Sequence, residues 1–435
     1  MKERTVKTNA EQEIFATAAD SDKDSSSISN RPLNRREFLA ASAAIGISTL
    51  MPGFAATAAS SAKTFTILHT NDMHASFIGM GPSADYTPFT LNDDSTRGGY
   101  ARLASLITQR TSARKSQGPV LVLDAGDYSM GTAFSAATRE TGGELHLMGK
   151  MGYDATTFGN HEFDLGPAGL GKSISAAVKA GRIPAVLSAN AGFTGDDASL
   201  AELQGLSRKG VIRRYTVIER GGLRFGIFGS LGKEAMIYTS GGATSFADPT
   251  ASAKEVVKTL RDTEKVDIVI ALSHGGLEKG PDGSYRDGED VRLAKDVPGI
   301  DVVISGHSHT ELNEAIIVNG HTPVVQTGKE SRNLGELVIA LDEGKLSVTS
   351  YRLLPIDDSI SGDRTIANDI EKLKKSVSAA AFASRGYRID QPLAIAPRDL
   401  PNTYTDIAAG TLLANLVTDS FRAATRADIG FTANG

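Results

Sequence analysis

Five of the chain's 8 histidines lie in short polar clusters, each directly after an apolar run. Asn71-Asp72-Met73-His74 follows the run 65–69, and Asp124-Ala125-Gly126-Asp127 follows 120–123. Gly159-Asn160-His161-Glu162 follows 155–158, Ser273-His274-Gly275-Gly276 follows 266–272, and Gly306-His307-Ser308-His309 follows 300–304. One such cluster alone reads as a turn or a cap, because Asp, Asn and His favour those positions. Five in succession read as parts of one site. The donors gathered are Asp72, His74, Asp127, Asn160, His161, His274, His307 and His309. Carboxylate, imidazole and amide oxygen without thiolate suit Zn, Mn, Fe or a related divalent ion. The set is too large for one tetrahedral ion. It matches two ions sharing a bridging Asp, with positions left open for water and substrate. Two divalent ions about 3.5–4 Å apart are the usual apparatus of phosphate ester hydrolysis, activating a water and neutralising the phosphoryl oxygens.

The elements that must position these donors follow from the runs themselves. Each run is short, most are rich in β-branched residues, and each reads as a buried strand. Helical stretches at 102–110 and 252–262 lie between strands, so the pattern is a layered α/β core. Donors at the ends of neighbouring strands converge when those strands share a sheet. Two hairpins are expected, one over 215–228 turning at Arg220-Gly221-Gly222, the other over 336–354 turning at Asp342-Glu343-Gly344. They make the sheets mixed, and 323–326 adds a short strand. From Asp357 the texture changes to an amphipathic helix at 366–377, a Pro-containing linker at 391–402, a helix at 407–424 and the start of a strand at 427–431.

Composition narrows the class. The 435 residues, 40% hydrophobic and 22% charged, describe a soluble globular chain. A net charge of −5 argues against a surface for nucleic-acid polymers, which clustered Lys and Arg would bind. The absence of cysteine removes disulfides, thiolate ligands and cysteine nucleophiles. The first 30 residues are polar and without periodicity. Asn34-Arg35-Arg36-Glu37-Phe38-Leu39 then opens an apolar run to Met51, followed by the small-residue site Ala56-Thr57-Ala58. This is the layout of a twin-arginine signal peptide, with the mature chain starting near Ala59. The expected location is periplasmic or extracellular, the expected partner the twin-arginine export machinery, and the run is too short for a stable membrane anchor.

A second motif competes for one segment. Gly166 to Ser173 fits G-x-x-x-x-G-K-[ST], a loop that cradles nucleotide phosphates. Such a loop needs a strand immediately before its first glycine. Here Asn160-His161-Glu162 stands between the strand 155–158 and Gly166, so Lys172 is expected to lie outside the chemistry, with a helix over 170–180.

The ordered motifs N-D-M-H, D-A-G-D, G-N-H-E-F-D, S-H-G-G and G-H-S-H resemble those of the calcineurin-like metallophosphoesterases, and most closely the 5′-nucleotidase / UDP-sugar hydrolase family. The resemblance implies a four-layer αββα sandwich of mixed sheets and two divalent metal ions. It implies one ion held by Asp72, His74 and His309 with Asp127 bridging, and a second held by Asp127, Asn160, His274 and His307. His161 is implied to face the substrate and assist bond breaking, with Asp164 orienting its ring. The implied reaction is in-line attack on phosphorus by metal-activated water, on a nucleotide or other small phosphate ester. Relatives acting on 2′,3′-cyclic nucleotides, UDP-sugars or thiosulfonates are the alternatives.

The expected organisation is a signal region at 1–62, a catalytic domain at 63–356, a connecting helix and linker at 357–402, and at 403–435 a truncated start of the family's C-terminal specificity domain. Asn434-Gly435 resembles the opening of that domain's N-G-G-x-x-R motif, which makes Asn434 a candidate substrate contact. An inactive metal-binding remnant is the reading from outside the enzyme class.

Overall fold

A computed structural model describes residues 63–81, 83, 85–400 and 410–432. The signal region with Arg35-Arg36, and the candidate contact Asn434, lie outside the described residues.

The strands of the two large sheets, in chain order, are β1 (Lys63–Thr70), β2 (Val120–Asp124), β3 (Ala155–Thr157), β4 (Ala185–Leu187), β5 (Ile212–Arg213), β6 (Tyr215–Arg220) and β7 (Leu223–Leu231). They continue with β8 (Ile268–His274), β9 (Val302–Ser305), β10 (Ile316–Val318), β11 (Thr322–Val325), β12 (Asn333–Asp342) and β13 (Lys345–Pro355). Among the described residues, one sheet of seven strands runs β13-β12-β1-β2-β3-β4-β5, and one of six runs β10-β11-β9-β8-β7-β6. In the first, β1 to β5 are parallel and the β12–β13 hairpin adds an antiparallel edge. In the second, β7, β8, β9 and β11 are parallel, flanked by antiparallel β6 and β10. Both expected hairpins form, and the mixed character follows from them.

The sheets face each other across a dry layer. Phe65, Ile67, Leu121 and Leu123 of the first meet Phe225, Ile227, Ile268 and Ile304 of the second. The central strands are apolar on both faces because helices cover the outer sides. Helices α1 (Tyr100–Arg114), α2 (Gly143–Met151) and α3 (Gly166–Ala180) cover the first sheet, with α6 (Arg364–Val377) packed against α1 and α2, and α4 (Pro249–Asp262) and α5 (Glu289–Asp296) cover the second. The result is the four-layer αββα sandwich.

Differences from expectation have local causes. Helix α3 begins at Gly166 rather than at 170, because Pro167 sits in its first turn, where a missing N–H costs nothing. The stretch resembling a phosphate loop is therefore helical, its amides from Leu170 onward turned into the helix ladder, and Lys172 is exposed. The last helix, α7, runs Leu412–Thr425, and residues 427–432 form no strand. A lone extended segment has no ladder to join, which leaves Ile429 and Phe431 exposed. Among the described residues, no helix is long and apolar enough to cross a membrane.

Candidate metal centre

The loops after β1, β2, β3, β8 and β9 meet at one edge of the two central sheets. Backbone bonds knit the first two: Asp72 N–H donates to Gly126 O and His74 N–H to Asp127 O, each at 2.9 Å. Asp72 accepts from His307 N–H at 3.0 Å, and Asp127 Oδ1 accepts from His161 N–H at 2.9 Å. The turns are tight enough that Asp72, His74, Asp127, His307 and His309 adopt left-handed backbone, with φ between 49° and 73°. Such conformations cost roughly 1–3 kcal/mol each and persist where surrounding structure enforces them, typically at functional sites. Glycine is required beside them. A Cβ on Gly159 would stand 2.1 Å from Asp127 Oδ1, and one on Gly306 2.6 Å from His274 Nδ1.

Six of the donors expected from the sequence fall into two adjoining clusters, and His161 joins His74 and Asp127 in a third. Asp72, His74 and His309 form one: His74 Nε2 lies 3.0 Å from His309 Nε2, and Asp72 Oδ1 lies 3.4 Å from His309 Nε2. Asp127, His274 and His307 form the other, with His274 Nε2 at 3.1 Å from Asp127 Oδ2 and 3.8 Å from Asp72 Oδ1. With metal–nitrogen bonds of about 2.0–2.1 Å, neighbouring donors on one ion stand roughly 3–3.4 Å apart. His274 Nδ1 is held by Ala125 O at 2.8 Å, which leaves Nε2 as the nitrogen aimed into the site. Asn160 Oδ1 is buried beside the clusters without a hydrogen-bond partner. An orphaned buried carbonyl oxygen is costly unless a cation or water completes it.

The electrostatics agree. Asp72 and Asp127 are buried, and the ion-pair partners found for them are histidines. Burial raises both carboxyls, but the nearby His274 and the other imidazoles outweigh it and hold both below the ordinary carboxylate range. Burial opposes charge on His274, yet Asp127 and Asp72 push it up to about 10. The pair of buried carboxylates thus favours positive charge at this spot, which a divalent cation would supply. His307 goes the other way: burial and the neighbouring His274 lower it to about 4, which keeps its ring neutral and able to donate a lone pair. The donor set fits divalent ions.

His161 stands at the rim, its ring 5.3 Å from that of His74. Its Nδ1 lies 2.6 Å from Asp164 Oδ2, and this bond, with the charge of Asp127, lifts it to about 9 against the effect of burial. Asp164 thus engages Nδ1 and leaves Nε2 as the other ring nitrogen.

Several positioning residues carried no spacing signal. Glu162 accepts from the backbone N–H of Asp127, Ser129 and Gly159 and from Ser129 Oγ, at 2.6 to 3.0 Å. Asn71 donates to Asp72 Oδ2 and to Gly328 O, and accepts from Thr327. Gln326, just past β11, donates to Gly306 O and Ser305 Oγ while accepting from Ser308 Oγ. Asp290 of α5 accepts from Ser273 and Ser305, the residues that precede His274 and Gly306. A separate acidic group, Asp93, Asp94 and Asp358, encloses the buried Arg102, whose guanidinium lies 2.6 Å from both Asp94 and Asp358.

Residues 65–311 match the family model of the calcineurin-like phosphoesterases. The chain belongs to the calcineurin-like phosphoesterases. Family members use a divalent metal site, and this phosphoesterase carries the donors for one. It is 32% identical over 348 residues to the 5′-nucleotidase of Mus musculus, covering 75% of this chain and 55% of that one. It is 28% identical over 347 residues to a trifunctional nucleotide phosphoesterase of Bacillus subtilis (strain 168), covering 74% of this chain and 21% of the relative. Among solved structures, a 5′-nucleotidase precursor from Thermus thermophilus superposes with a TM-score of 0.65 at 28% identity, covering 83% of this chain and 67% of that one. The phosphoesterase thus spans about half the length of the mouse relative, and less of the bacillar one.

Proposed function

We propose that the chain is an exported, dinuclear hydrolase of nucleotide phosphate esters. The observation that carries this reading is the pair of donor clusters, Asp72–His74–His309 and Asp127–His274–His307, linked by a third group of His74, Asp127 and His161, with Asp164 behind His161. The nucleotide-acting relatives support the substrate class. Asp72, His74 and His309 would hold one ion, Asn160, His274 and His307 the other, and Asp127 would bridge them. When bound, the ions supply charge for the phosphoryl oxygens and acidify a water.

The chain's own groups do the rest. Asp164 accepts from His161 Nδ1 and fixes the ring. His161 Nε2 then donates its proton toward a phosphoryl or leaving-group oxygen as the ester bond breaks. Ala125 O fixes the tautomer of His274, and Glu162 fixes the loop that carries Asp127. The Arg35-Arg36 segment supports export, and the catalytic boundaries 63–356 stand as part of this proposal.

The test is hydrolysis of 5′-AMP, 2′,3′-cyclic AMP, a UDP-sugar and an aryl phosphodiester by the purified chain with Mn or Zn. The reading expects metal-dependent turnover with preference for 5′-AMP. No turnover on any of them, with metals bound, favours an inactive metal-binding remnant.

A further inference from the structure

An aromatic side chain stands at the edge of this centre without a task in the mechanism. Tyr238 is 60% exposed, and its ring lies 6.1 Å from that of His307 at a 42° tilt. Ile237 beside it is 80% exposed. The segment that presents them is firmly held. Both first amides of the short helix Lys233–Ile237 donate to Glu289, Lys233 N–H to Oε2 and Glu234 N–H to Oε1. Ala235 is fully buried and Met236 packs on the core between the first sheet and its helices. Tyr238 N–H closes on Ala235 O at 3.1 Å, and Thr239 Oγ1 donates to Met236 O at 2.8 Å. The exposure of Ile237 and Tyr238 is therefore built in rather than a product of a loose loop.

We propose that Tyr238, backed by Ile237, is a stacking platform for the aromatic leaving group of the substrate, a nucleobase, on the catalytic domain itself. This rests on the nucleotide reading above. A phosphate seated against the donor clusters leaves its ester substituent pointing outward past His307, the ring that Tyr238 flanks. A ribose spans that gap and sets the base against the tyrosine face. Every base offers such a face, so the platform selects for an aromatic substituent without choosing among bases.

The experiment compares wild type, Tyr238→Ala and Tyr238→Phe on 5′-AMP and ribose 5-phosphate, with calorimetric binding of adenosine as a readout independent of turnover. Tyr238→Ala is expected to lose roughly tenfold in kcat/KM on 5′-AMP, through KM, and to weaken adenosine binding by a similar factor. Ribose 5-phosphate is expected to change less than twofold, and Tyr238→Phe to behave as wild type. Equal losses on both substrates, or none on either with adenosine binding unchanged, overturn the platform while leaving the phosphoesterase reading intact. A wild type that cleaves neither substrate overturns the nucleotide reading and the platform with it.

Discussion

Glu162→Gln is a demanding test of how this site is held. All four partners of the Glu162 carboxylate are donors: three backbone N–H groups, from Asp127, Ser129 and Gly159, and the Ser129 hydroxyl. An amide has one acceptor oxygen; with its NH2 turned toward Ser129, whose hydroxyl can rotate to accept, it still confronts one backbone N–H donor. A hydrogen bond contributes about 0.5–1.5 kcal/mol net, and a buried donor left unmatched costs a further 1–3. Losing one such bond gives roughly 1.5–4.5 kcal/mol, reduced by whatever the loop recovers by moving. Any such movement displaces Asp127, and outer-shell losses of this kind typically weaken metal binding 10- to 100-fold. The variant is expected to melt roughly 5 °C lower without metal, and to bind Mn or Zn at least tenfold more weakly by calorimetry. A variant with wild-type melting and wild-type metal affinity refutes the idea that Glu162 sets the position of Asp127.

Three further predictions follow from other parts of the fold. His161→Ala is expected to retain its metals by elemental analysis while kcat falls roughly 10²- to 10⁴-fold; loss of metal from that variant sinks the rim assignment. Lys172→Ala, on the exposed face of α3, is expected to stay within twofold of wild-type kcat/KM, and a large drop restores the phosphate-loop reading. Glu336 of β12 is fully buried among Arg110, Arg114 and Arg352. Burial raises its pKa, but the three guanidiniums, Arg114 foremost, outweigh it and bring it to about 2. Its folded-state pKa is depressed, so its contribution to stability is full above the unfolded value near 4.3 and is lost as pH falls toward 2. Glu336→Gln is expected to lower Tm at pH 7, with the deficit shrinking below about pH 4.5; a deficit independent of pH contradicts the ion-pair account.

The layered fold was legible because the apolar runs are short, β-branched and end abruptly in polar clusters. The candidate donors were legible for the same reason: strand ends place Asp72, Asp127, Asn160, His274 and His307 near one another without any detailed packing argument. The clamps were not. Glu162 sits inside a quoted motif, yet its partners are backbone amides of three separate residues, and amides leave no mark in a sequence. Gln326 and Asp290 reach the site from 20 and 17 residues away in the chain, Gln326 to Gly306 and Asp290 to Ser273. Only the pairing of β11 with β9 and the seating of α5 bring them there. The start of α3 was missed because its glycines weaken the helical signal, while the seated Pro167 and the packing of Leu170 and Ile174 outweigh them. The Tyr238 platform was invisible because nothing in sequence separates an exposed tyrosine from a buried one.

The central claim is that the two donor clusters hold a pair of divalent ions that share Asp127. Anomalous scattering from a crystal of the Mn- or Zn-loaded chain measures this directly. The account predicts two peaks, both within bonding distance of Asp127, one also bonded by Asp72, His74 and His309, the other by Asn160, His274 and His307. A single peak, or two that do not share Asp127, contradicts it.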